Sequence, residues 1–217
     1  MVSRRHVLTV FMASPGDVAP ERAELTSIVN RINRRSAQDL GWLVELRGWE
    51  DTMPGHGRPQ GRINPDVESC DVFIGILWRR WGTPTGLSTS GFHEEYEIAR
   101  ARRLNSAEPD LLMYFREVEP SLVNDAGEQL KQVLAFKARL AESQEVLYKQ
   151  YDSVQQFSSL VEEHLTRILQ ARALSQRESD QRAVASATGR LSPDSFGPAV
   201  TLSALSGNPY MDAEIIA

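Results

Sequence analysis

Between Ser88 and Ala99 the chain reads STSGFHEEYEIA, and three acids crowd into it: Glu94, Glu95 and Glu97. On a helix of about 100° per residue only Glu95 faces inward. Phe92 lies roughly 60° to one side of it, Ile98 roughly 60° to the other, and Ala99 roughly 40° away. Glu97 falls on the far side and Glu94 on the flank. Two explanations compete for an acid centred on an apolar stripe. The helix dipole favours acids in a first turn, typically by about 0.3–1 kcal/mol. The dipole requires no inward face, however, so Glu95 stands as the candidate catalytic residue.

The residues around it fit a ligand edge. DVFIGILW (Asp71–Trp78) reads as a buried strand, followed by the loop RRWGTPTG. In an open α/β sheet, ligands bind outside the carboxyl ends of the strands. Trp78, Arg79, Arg80, Trp81 and Gly82 sit there. An aromatic beside cations suits a base ring and a pyrophosphate; partly packed tryptophans beside solvated arginines are the alternative. The loop ASPGDVAP after the first strand brings Ala13, Ser14, Pro15 and Gly16 to the same edge. Its amides and the Ser14 hydroxyl suit a phosphate or ribose, or the loop is a plain turn with Asp17 capping the next helix. Gly91 opens the helix that carries Glu95. Asp71 is at the wrong end of its strand and reads as a local partner. The histidines His6, His56, His93 and His164 show no metal-ligand spacing, so no metal site is expected; His93 reads as a surface residue. GxGxxG, GxxxxGK[ST] and GxSxG are all missing from the sequence.

The elements that must hold these residues alternate. Strands are expected at His6–Ala13, Trp42–Trp49, Asp71–Trp78, Asp110–Glu117 and 145–151. Helical spacing appears at 20–41, near 63–70, and at Phe92–Leu104, Gly127–Ser143 and Ser153–Leu174. Gly41 suits the end of the first helix. Strand–helix alternation implies right-handed crossovers and a parallel sheet. The expected fold is a flavodoxin-like α/β three-layer sandwich, five parallel strands in the order 2-1-3-4-5.

The chain has 217 residues, a net charge of −5, 41% hydrophobic and 24% charged residues. That is ordinary for a globular chain, and the acidic balance argues against a nucleic-acid partner. Cys70 is the only cysteine, which fits a reducing cytoplasm. The apolar run in MVSRRHVLTVFMA is too short to span a membrane and reads as the first strand. Residues 1–174 are expected to form the α/β domain. Residues 175–217, rich in Ser and Ala, read as a linker or flexible tail. Its end, NPYMDAEIIA, reads as a docking segment or the start of a further domain.

VFMASPGDVAPERAEL, CDVFIGILWRRWGTPTG and SGFHEEYEIA together resemble the TIR-like domain of unknown function at the N-terminus of bacterial STAND-type (NACHT-like) ATPases and related defence proteins. The resemblance covers residues 6–117 well and the helices to 174 loosely. More distantly, FMASPGD and GFHEEYEIA resemble segments of nucleoside deoxyribosyltransferases. Gly91, Glu95 and Ala99 keep the Gly–Glu–Ala spacing of that family, which implies a catalytic role for Glu95. Phe92 stands where those transferases usually carry Thr, a departure that weakens transferase chemistry specifically. TIR-domain NAD hydrolases similarly place a Glu on a helix after the third strand.

The resemblance implies a cytoplasmic NAD(P) glycohydrolase of antiviral defence, cleaving the nicotinamide N-glycosidic bond, with NAD as substrate and no separate cofactor. Ser14 and Arg79–Arg80 would hold ribose and phosphates, and self-association through the α/β domain is left open. The alternative is a non-catalytic module that binds a nucleotide or a partner protein, the sensor or adaptor end of a larger STAND-type protein. One fold hosts many functions, so fold alone does not choose between them.

Overall fold

Two interleaved sets of apolar residues run along the same strands, and they decide the layering. The computed structural model describes residues 5–48 and 60–188. In chain order it contains β1 (His6–Ala13), α1 (Ala19–Ile32), α2 (Gln38–Leu40), β2 (Trp42–Gly48), α3 (Gln60–Ser69) and β3 (Val72–Leu77). Then follow α4 (Gly91–Ser106), β4 (Asp110–Arg116), α5 (Pro120–Asn124), α6 (Glu128–Ser143), β5 (Tyr148–Tyr151) and α7 (Val154–Thr188).

Side chains alternate across a strand. Leu8, Val10 and Met12 of β1 therefore join Val72, Ile74 and Ile76 of β3 in one core, packed against α1 and α7. Phe11 and Ala13 join Phe73, Leu77, Met113 and Phe115 in a second core under α3, α4 and α6. Every residue of β3 is buried. Each large side chain so buried contributes about 1.5–3 kcal/mol relative to exposure. All neighbouring strands pair in parallel. Their order is β2-β1-β3-β4-β5, the flavodoxin-like sandwich expected from the alternation.

The differences have local causes. The first helix is interrupted by a π turn at Asn33–Ala37. There the Asn33 carboxamide bonds the Val44 backbone twice, Nδ2 donating to the carbonyl at 2.8 Å and Oδ1 accepting from the N–H at 2.8 Å. Gly41 then ends α2 in the left-handed conformation, φ 77°. Strand β5 is shorter than the expected 145–151, and α5 was not expected at all. Asp71 is a local partner: its Oδ2 accepts from the Thr9 N–H at 2.7 Å. Helix α7 continues past the change of composition at Ser175 to Thr188. Ala, Arg, Gln and Glu are good helix formers, and no Gly or Pro intervenes before Gly189.

The contacts divide the chain into Met1–Ser175 and Gln176–Ala217. The first unit holds the sheet and both cores. In the second, side chains from Arg177 to Ser186 are exposed. Trp49, the loop through Pro59 with His56, and the tail from Gly189 with NPYMDAEIIA lie outside the described residues. Among the described residues, no helix is long and apolar enough to cross a membrane.

Candidate active site

Helix α4 is started by Ser90, whose Oγ accepts from the His93 N–H at 3.1 Å. Phe92, Glu95, Tyr96 and Ala99 then face the core. Ile98 is only half-buried, so the buried stripe is centred closer to Tyr96 than the helical wheel suggests. The three acids meet three environments. Glu97 is exposed and lies 3.7 Å from Arg100 and 3.6 Å from His93. Glu94 accepts from Asn64 Nδ2 at 3.0 Å and Thr85 Oγ1 at 2.6 Å. Glu95 is 6% exposed. Its Oε1 accepts from Gln60 Nε2 at 2.5 Å. Burial pushes its carboxyl up to about 8, the neighbouring charge of Glu94 adds to the rise, and the Gln60 hydrogen bond opposes it. Burial is thus the dominant influence on Glu95.

Glu95 opens onto a cleft of about 310 Å³. One wall is Ser14, Pro15 and Gly16 from the loop after β1. Gln60 and Ile63 of α3 line another part, and Gly91, Phe92 and Glu95 of α4 form the floor. The opposite wall is Arg80, Trp81, Gly82 and Thr83. That wall is fastened by two side chains. Asp17 Oδ2 accepts from the N–H groups of Arg79 at 2.9 Å and Arg80 at 3.0 Å. Gln129 Oε1 accepts from those of Trp81 at 2.8 Å and Gly82 at 2.9 Å. Asp17 therefore serves the loop after β3 and does not cap a helix.

The other candidates divide between the cleft and elsewhere. Ser14 Oγ is buried, with no hydrogen-bond partner among the described residues, so it is free to bond a ligand. Ala13 is buried in the second core and does not line the cleft. Trp81 is 2% exposed. It packs against Phe92 and Phe136 at centroid distances of 5.7 and 5.3 Å. Trp78 borders a separate cleft of about 190 Å³ beside Phe115, Arg116 and Lys137. The Arg79 guanidinium stacks 3.6 Å from the Trp78 ring centroid, which leaves Arg80 as the cation of the pair at the cleft.

His93 hydrogen-bonds Ser88 Oγ through Nδ1 at 2.9 Å, and burial lowers its pKa. Among the described residues, no group of His, Cys, Asp or Glu is arranged to hold a metal ion. A larger cleft of about 510 Å³ lies beside the start of β4, lined by Leu111, Met113, Leu147 and Ile168. Its acids are paired: Asp110 with Arg103 at 3.1 Å and Glu145 with Arg100 at 2.7 Å.

Gln60 and Ile63 were not legible as site residues. Gln60 comes from a helix that begins three residues before the expected 63–70, and its contact with Glu95 is made between helices, where no local spacing signals it.

A family model described as "Domain of unknown function (DUF4062)" matches residues 9–166. No curated protein matches. Three solved structures are similar at low identity. One is the TIR domains of the activated Roq1 resistosome that recognises the pathogen effector XopQ. It has 13% identity and a TM-score of 0.39, over 80% of this chain and 98% of that one. Another is the CMP N-glycosidase BcmB of Clostridium botulinum, with 15% identity and a TM-score of 0.37, over 70% of this chain and 97% of that one. A third is the translation elongation factor SelB of Methanococcus maripaludis with a GTP analogue, with 11% identity and a TM-score of 0.42, over 79% and 34% of the two chains. Likenesses of this order carry nothing about chemistry.

Proposed function

This chain belongs to the DUF4062 family, and on that footing we propose that its α/β domain cleaves the N-glycosidic bond of a nucleotide, with NAD as the substrate. The observation that carries the reading is Glu95, a nearly buried carboxylate opening onto a nucleoside-sized cleft at the carboxyl edge of a parallel sheet. Trp81, Phe92 and Ile63 supply an apolar wall for a base. Ser14 offers a hydroxyl to ribose, and Arg80 offers a cation to a phosphate.

Nicotinamide in NAD is already cationic. When its bond to C1′ of the ribose breaks, the electron pair goes to the ring nitrogen and nicotinamide leaves neutral, so no acid is needed. The positive charge then rests on the ribosyl oxocarbenium ion, which an ionised Glu95 stabilises. Water adds to C1′ and releases a proton, giving ADP-ribose. A cation in the cleft favours the ionised carboxylate, against burial. In the free domain Glu95 must first lose its proton, so kcat/KM should rise with pH up to about 8 and then level. A general acid working on a neutral base would give the opposite profile.

The test is nicotinamide release from NAD by the protein assembled on an oligomeric scaffold, because TIR-like hydrolases act when clustered. Glu95→Gln should keep fold and NAD binding and abolish turnover, while Glu97→Gln should leave it nearly intact. Equal loss in both variants, or in neither, overturns the role of Glu95. Binding without turnover in the assembled wild-type protein would return the non-catalytic reading, a sensor or adaptor module of a STAND-type protein.

A further inference from the structure

Among the described residues, the hydrogen-bond partner of Glu95 is neither acid nor base. Gln60 is 7% exposed, sits at the start of α3, and donates to Glu95 Oε1 at 2.5 Å. It reaches across to a helix 35 residues further along the chain. Its path passes over Gly91. A Cβ built on Gly91 would lie 2.9 Å from Gln60 Oε1 and 3.6 Å from Gln60 Cδ, so the carboxamide occupies the space that a side chain would fill.

We propose that Gln60 is the positioning residue of Glu95, holding its carboxylate in one orientation toward the cleft, and that the missing side chain of Gly91 is what admits it. This rests on the reading of Glu95 as the reacting carboxylate. A glutamate carboxylate hangs on three side-chain torsions, and stabilisation of a developing cation depends on where its free oxygen points. The amide fixes one oxygen and leaves the other to the substrate. Its N–H₂ donates to Glu95 and favours the ionised acid, which Leu at position 60 does not.

Among the described residues, the charged groups facing Glu95 are few. Glu94 precedes it on α4 and disfavours its charge. Arg80 lines the same cleft from the loop after β3. The lining residues from the loop after β1 and from α3 are uncharged. Loss of the Gln60 donor should therefore be read directly in Glu95, since the hydrogen bond works to hold its pKa down.

The experiment is a carbon-13 NMR titration of the Glu95 side-chain carboxyl in the full chain, assigned by comparison with Glu95→Gln. Gln60→Leu and Gly91→Ala should both move the Glu95 midpoint upward by at least about half a unit. Gln60→Glu should move it further, because two close carboxyls resist double ionisation. Gly91→Ala keeps the amide and only displaces it, so it serves if Gln60→Leu fails to fold. An unchanged midpoint in the folded variants overturns the proposal. The titration needs no turnover, so wild-type inactivity toward NAD would sink the proposed reaction and leave this result standing. If turnover is present, both variants should lower kcat at least tenfold with KM altered less than threefold, and the rising limb of the pH profile should move to higher pH. A loss confined to KM would make Gln60 a substrate contact instead and overturn the positioning role.

Discussion

Glu95 weakens the fold that presents it. Its carboxyl titrates at about 8 in the folded chain and at about 4.3 when unfolded. Across that window the folded state holds a proton that the unfolded state has released. The stabilising contribution is therefore complete below the unfolded value. It is lost as pH rises toward about 8, by about 1.4 kcal/mol per pH unit. We predict that Glu95→Gln stabilises the domain at about pH 8, on the order of 2–4 kcal/mol, and flattens the pH dependence between about 5 and 8. Urea unfolding at several pH values measures it; the same slope in variant and wild type would show that Glu95 is not the group responsible. Two other buried groups have different partners. Cys70 is a buried thiol pushed up to about 11 by desolvation, under the Arg102 guanidinium that bonds the Val67 and Cys70 carbonyls. Glu21, fully buried, is paired with Arg116 at 3.0 Å.

The approach of α4 to the sheet is set at β3. A Cβ on Gly75 would lie 2.5 Å from Met113 Sδ, 2.7 Å from Met113 Cε and 3.2 Å from Phe92 Cε2. The bare backbone there lets Met113 and Phe92 fill the gap, which brings the first turn of α4 down onto the strand ends and aims Glu95 at the cleft. Gly75→Val should overpack this seam and destabilise the domain by about 1–3 kcal/mol. Met113→Ala in the same chain should recover part of the loss, because the flexible thioether is the nearest obstacle. If Gly75→Val unfolds at the wild-type denaturant midpoint, the spacing of α4 is set elsewhere. The seam also explains why Phe92 follows Gly91: its ring stacks edge-on to Phe136 at 5.7 Å, below Trp81.

At the scale of the molecule, much of the architecture was legible. The alternation of strands with helices and the near-continuous apolar runs in HVLTVFMA and VFIGIL leave a parallel, doubly covered sheet as the consistent solution. The inward face of Glu95 was legible too, since it depends only on helical period. What was hidden depends on tertiary contact: Gln60 meeting Glu95, Arg79 engaged by Trp78 while Arg80 stays at the cleft, and Asp17 serving a strand-end loop. The extent of α7 was hidden differently: its Ser- and Ala-rich continuation reads as a linker by composition, whereas its exposed residues are ones of good helix propensity. The fastening of Arg79–Gly82 has a consequence in time. Asp17 leads into α1 of one core and Gln129 opens α6 over the other, so a surface segment is tied to both. Its four amide hydrogens should exchange with solvent as slowly as those of β3, although Arg79 and Arg80 are exposed. Asp17→Ala should release the first two amides and Gln129→Ala the last two, each pair alone. Rapid exchange of all four in the wild-type chain would refute this. Slow exchange would mean that this wall of the cleft does not flap, and that entry and exit of a ligand keep pace with the breathing of the whole sheet.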